Sequence, residues 1–163
     1  MSSDSIKYII SDFYSKNKKS KFSKNKQKLE LAENIINNIS INDYIERCIY
    51  IKDYHIFASY PDIKHIIHPN THNIIMKRLN SLIVTLNKTF QFHVDIFSLS
   101  ISAIHRIQDL IKLLLANLKE DNKLDLIEHI YIHNPPNSIK TINKIISPIF
   151  TGSGFLNKVT FIN

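Results

Sequence analysis

The sequence predicts an α/β fold, a mainly parallel sheet with helices packed mostly on one face. Three observations carry that prediction. Residues 92–150 read as strand, helix, strand, helix, the unit from which parallel sheets are built. The strands of that unit alternate: Phe92, Val94 and Ile96 share one face, while Gln91, His93 and Asp95 share the other. In the next strand Ile130 and Ile132 oppose His129, Tyr131 and His133 in the same way. A parallel sheet buried on both sides reads as apolar throughout, so this one is expected to leave a face to water, a cavity or a partner. Finally, the intervening segments carry isoleucine and leucine stripes at helical spacing.

Taken in order, residues 5–14 are expected to form a short helix with Ile6, Ile9, Ile10 and Phe13 on one face. Residues 15–25 hold too few apolar side chains to pack and are expected to be mobile. Leu29, Leu31, Ile35 and Ile36 support a helix over 26–38. Residues 1–43 thus read as a helical extension with a Lys-rich flexible segment at about 15–28, and residues 44–163 as the domain proper. Residues 49–51 and 55–60 read as strands around Lys52-Asp53, with Pro61-Asp62 turning the chain. Ile74, Ile75, Leu79, Leu82, Ile83 and Leu86 place a helix over 71–89. The next, over 100–118, carries Ile104, Ile107, Ile111, Leu114, Leu115 and Leu118, and the third carries Ile139, Ile142, Ile145, Ile146 and Ile149. Between them, Pro135 ends the strand at 128–132, because it fixes φ and donates no ladder hydrogen bond. Pro136 suits a helix start, and residues 158–162 read as a last strand.

Composition limits the classes of function. A chain of 163 residues forms one domain that buries roughly two-thirds of its unfolded surface. Ile, Asn and Lys are abundant, the mark of AT-rich coding, while Gly occurs twice and Trp never. The single Cys48 makes no intramolecular disulfide, which points to a reducing compartment. No apolar run approaches the ~20 residues of a membrane span, and the first residues lack a signal-peptide layout. A soluble, cytoplasmic protein is expected, with peripheral attachment to membranes open to it.

Charge is uneven. Lys16, Lys18, Lys19, Lys21, Lys24, Lys26 and Lys28 have no acid among them and equal the whole formal excess of +7. They read either as a solvated linker or as a tether to an anionic membrane surface, where each Lys contributes on the order of 1 kcal/mol. Nucleic acid is the least supported partner, because the run has Phe22 but no interleaved aromatic stripe.

Little in the sequence speaks for catalysis. With glycine only at 152 and 154, no phosphate-binding loop or dinucleotide fingerprint exists, and Gly152-Ser153-Gly154 reads as a flexible turn. Pro69 interrupts any helix that would align His65, His68 and His72, and no acid or cysteine completes a metal set. Four residues along a strand separate His129 and His133 by roughly 13 Å, too far for one ion. Cys48 reads as a buried strand residue, and Ser98 or Ser100 as a helix cap rather than a nucleophile. No enzyme, cofactor or metal site is predicted.

Several of these segments resemble the CRAL-TRIO lipid-binding domains. Val94-Asp95-Ile96 followed by Ser98-Leu99-Ser100 resembles the family's strand and small-residue turn into a helix. Ile132-His133-Asn134-Pro135-Pro136, Ile146-Ser147-Pro148-Ile149-Phe150 and Lys158-Val159-Thr160-Phe161-Ile162 resemble its later corner, helix end and strand, in order. The resemblance covers residues 87–163 by motif and 44–88 by element order. It implies a sheet floored by helices whose other face contributes to a pocket for a lipid or another apolar ligand. His93, Asp95, His129, Tyr131 and His133 are then the candidate ligand-binding face, and Lys16 to Lys28 the candidate membrane-surface contacts. The family's basic grip on a phosphoinositide headgroup has no counterpart recognised here. Family members usually continue past the last strand with a gating helix, whereas this sequence ends at Asn163, so a reduced, divergent member is expected. The alternative is a protein-interaction module on the same scaffold without a closed lipid pocket.

Overall fold

A computed structural model of the chain describes residues 3–20 and 22–162. Two helices lead, α1 (Ser3–Lys16) and α2 (Lys24–Asn38), and a short α3 (Ile41–Cys48) runs directly into the first strand. β1 (Ile49–Lys52) and β2 (His55–Ser59) form a hairpin, followed by one turn of helix, α4 (Tyr60–Ile63). The hairpin turns on Asp53 and Tyr54, at φ 50° and 64°, the left-handed pair that matches strand twist. Then α5 (Pro69–Leu86), β3 (Phe90–Asp95), α6 (Ile101–Glu120), β4 (Ile127–His133), α7 (Ile139–Phe150) and β5 (Val159–Ile162) alternate.

Helix ends are chemically marked. Pro69 occupies the first turn of α5, where its missing N–H is harmless. His68 Nδ1 accepts from Asn70 N at 3.2 Å, while the His68 backbone N–H donates to Thr71 Oγ1. Ser100 caps α6 by accepting from Ala103 N at 3.3 Å. Each predicted strand and helix is present, with ends moved by up to three residues.

The sheet has five strands in the order β1-β2-β3-β4-β5. β1 pairs antiparallel with β2, and every later pairing is parallel. Because the parallel strands follow one another in sequence, crossovers of one hand all carry their helices to the same face. The fold is therefore two layers, helices on one side and an uncovered sheet face on the other. Glu128 is the extra residue where the β3–β4 register shifts, which lets Ile127 and Ile130 both point to the helix layer.

The N-terminal helices share the core. Ile6 and Phe13 of α1 and Leu31 and Ile35 of α2 belong to the same buried cluster as Ile56, Phe90 and Ile142. The boundary expected near residue 44 falls inside α3. Cys48 closes α3 rather than lying in a strand, and burial pushes its thiol up to about 12. The Lys run is divided among structured places. Lys16 pairs with Asp12 at 2.8 Å, Lys24, Lys26 and Lys28 lie in α2, and Lys21 falls outside the described residues. The connection at residues 17–20 is tied to α2 by Gln27, whose Oε1 accepts from Ser20 N and whose Nε2 donates to Lys18 O.

Ile35 is fully buried, so Ile35→Ala should cost about 2–5 kcal/mol in denaturant unfolding. A loss under about 1 kcal/mol would show that α2 is an appendage.

Candidate functional site: an apolar cavity and an aromatic sheet face

The helix-facing side of the sheet does not fill the space beneath the helices. A cavity of about 420 Å³ lies between the sheet and the layer of α5, α6 and α7. Phe92, Val94, Ile130 and Ile132 floor it; Ile107, Ile111 and Leu114 of α6 roof it. These α6 side chains are half-buried, not sealed, because they look into that space. Leu156 and Phe161 also line the cavity and are 45% and 42% exposed, which places its mouth at the β5 edge. There the rings of Phe150 and Phe155 stack at 5.0 Å.

Among the described residues, Tyr60, Asn143 and Ser147 are the polar side chains in the lining. Ser147 Oγ is committed to Asn143 O at 2.6 Å. Asn143 is one turn earlier on α7, and its carboxamide is the polar group left to orient an occupant.

The opposite face carries rings from one side of the sheet to the other. Tyr50 stacks on Phe57 with centroids 5.7 Å apart, and Phe57 stacks on His93 at 4.5 Å. His93 lies against Tyr131 at 4.9 Å, and Tyr131 against His129 at 4.6 Å. His129 Nε2 reaches Thr160 Oγ1 at 2.7 Å on β5. Cross-strand neighbours at sheet spacing make such contacts wherever successive strands put rings on the same face.

The candidate residues His93, Asp95, His129, Tyr131 and His133 thus come together, all half-buried on the uncovered face. None lines the cavity, which lies on the other side of the sheet. Four of the five have polar partners on this face or at the strand ends. His93 Nδ1 and His133 Nε2 are 3.0 Å apart, a cross-strand pair that spacing along one strand does not reveal. Asp95 Oδ1 accepts from Phe97 N at 2.8 Å and Asn134 Nδ2 at 3.1 Å, which fixes the β3 and β4 ends. Tyr50, His55 and Phe57 complete the face and escaped the sequence reading. The alternation that singled out β3 and β4 would have found them if applied to β1 and β2.

His68 caps α5, His65 stands elsewhere, and no three His, Cys, Asp or Glu among the described residues gather for a metal. No helix among them is long and apolar enough to cross a membrane. Family models, curated proteins and solved structures were compared with this chain, and none matches. The likeness to CRAL-TRIO domains rests on the ordered motifs.

Burial, with His133 and His55 nearby, lowers the His93 pKa below its ordinary 6.5. The unfolded chain therefore takes up this proton at higher pH than the folded one. The contribution to stability is full above about pH 6.5 and is lost as pH falls below it. Ring NMR should find His93 titrating below 6.5 and moving part of the way up in His133→Gln. An unchanged His93 titration in that variant would show that the two rings are not coupled.

Proposed function

We propose that this chain binds a lipid or another small apolar ligand in the cavity between the sheet and the α5–α6–α7 layer. The carrying observation is the cavity itself. About 420 Å³, lined almost wholly by aliphatic and aromatic side chains, is within the range of small-molecule sites. Each methylene transferred there from water contributes about 0.8 kcal/mol. The Asn143 carboxamide supplies a single point for a hydroxyl or carboxyl head. The CRAL-TRIO resemblance points to the same ligand class, although it put the pocket on the other sheet face. Exposed Lys18, Lys19, Lys24 and Lys26 add weak attraction to an anionic membrane surface, consistent with loading there.

Native mass spectrometry of the purified protein, with solvent extraction of its contents, should find a co-purifying apolar molecule. Ile111→Trp fills the cavity from α6 and should remove that mass while the melting temperature stays level or rises. An apo mass in the wild type, together with no uptake of a fluorescent fatty acid, would sink this reading.

The uncovered sheet face favours a second reading, as a docking surface for another protein. Its rings are flat and half-exposed, Asp95 and the bulge residue Glu128 are the acids on it, and Lys52 stands at the β1 edge. With His93 held neutral, the face has little to offer a polyanion and suits a partner surface of mixed polarity. Tyr131→Ala should weaken such a complex at least tenfold while leaving ligand uptake intact. Loss of ligand uptake in that variant would argue against separate roles for the two faces.

A further inference from the structure

A second, smaller cavity of about 230 Å³ lies at the carboxyl ends of β2 and β3. Its wall brings together Lys28 from α2, Lys64 and His65 after α4, Ser98 and Ser100 from the β3–α6 turn, and Arg106 from α6. Sequence separation hides this cluster: its members span residues 28–106, and no single local motif joins them.

The cluster is electrostatically incomplete. None of Lys28, Lys64 and Arg106 forms an ion pair among the described residues. Arg106 Nε is buried with no acceptor, although the guanidinium also lies against the Tyr60 hydroxyl. Lys64 Nζ donates to Ser98 Oγ at 3.1 Å, which holds a neutral hydroxyl where a counter-ion would be expected. Burial lowers the Lys28 pKa, and the neighbouring Arg106, Lys64 and Lys24 lower it further. Burial likewise pushes His65 down to about 4, with Lys64, Lys28 and Arg106 acting in the same direction and Asp62 against them. Asp62 itself is engaged by Ser59 Oγ. Three cationic side chains at one opening whose wall holds no carboxylate repel one another, and a bound anion relieves that repulsion.

The wall also presents the right donors. A guanidinium edge, two ammonium groups and two serine hydroxyls converge on the start of a 20-residue helix, whose dipole favours negative charge. Carboxylates match one or two such donors, whereas the tetrahedral, doubly charged phosphoryl group accepts from many directions at once. We infer that this pocket is a binding site for a phosphate monoester, its phosphoryl oxygens held by Arg106, Lys64 and Lys28 and by the hydroxyls of Ser98 and Ser100. The group can come from a soluble phosphate ester or from a lipid headgroup, and the site does not depend on what fills the apolar cavity.

Isothermal titration of the full chain with inorganic phosphate, at ionic strength fixed with chloride, tests the site. Binding should be saturable, and Arg106→Gln and Lys64→Gln should each weaken it about tenfold or more, the scale of one charge-assisted hydrogen bond. Lys28→Gln supplies a readout that a purely structural role would not. Relief of like-charge repulsion should raise the melting temperature without phosphate, while the rise that phosphate causes in the wild type is reduced. Phosphate binding equal in all three variants and the wild type, or indistinguishable from chloride, would overturn the inference. Phosphatidylcholine vesicles with and without phosphatidic acid separate the two sources. Arg106-dependent binding to phosphatidic acid alone assigns a lipid headgroup, whereas Arg106-dependent binding of soluble phosphate without vesicle binding assigns a free ester.

Discussion

The structure depends on one topological constraint, the sequential order of its parallel strands. Each crossover from β2 to β5 advances one position in the same direction, so a common hand delivers α5, α6 and α7 to one side. An α/β sheet whose order reverses is covered on both faces and must be apolar on both. This one must be apolar on one only. That freedom places His93 and Tyr131 within their strands, and His133 at the end of β4, without an unpaired group in the core. The aromatic ladder is a product of topology as much as of sequence.

The cavity has a related origin. The helix-facing residues are dominated by isoleucine, whose β-branched side chain is stiff at χ1 and short in reach. The chain holds two methionines and no tryptophan, the side chains that best fill irregular gaps. An apolar space of 420 Å³, if dry and sealed, would cost about 10 kcal/mol at the usual penalty per unit of cavity volume. That is as large as the whole stability of a typical domain. The opening at the β5 edge and an apolar occupant are the two physical ways to reduce it, and the exposed Leu156 and Phe161 allow both.

Local periodicity made the elements and the α/β class legible, because long isoleucine stripes and alternating strands are strong short-range signals. It also showed that one sheet face would be mixed. It did not show which face would hold a pocket, because that depends on the direction of the crossovers, and the cavity lies opposite the face first suspected. Long-range pairing explains the other differences. Spacing along one strand sets His129 and His133 apart, whereas the contact that matters joins His133 to His93 across the ladder. The Lys run looked like free chain because composition does not report that Leu31 and Ile35 bury α2. Once α2 is docked, Lys28 becomes part of a wall with Arg106 rather than a solvated charge.

Tyr60 shows how the fold keeps its two compartments apart. It directly follows β2, is 8% exposed, and lines both the apolar cavity and the cationic pocket. Phenylalanine would serve the first environment and leave the second without a polar wall. A shorter polar residue would open the cavity to the lysines. Tyrosine satisfies both, with its ring among aliphatic side chains and its hydroxyl against Arg106. Burial raises its pKa, with Arg106 drawing it back, so the phenol stays neutral at physiological pH and donates no negative charge to the cluster. The cationic pocket therefore gains a hydrogen-bonding wall without gaining a counter-ion, and its demand for an external anion is preserved.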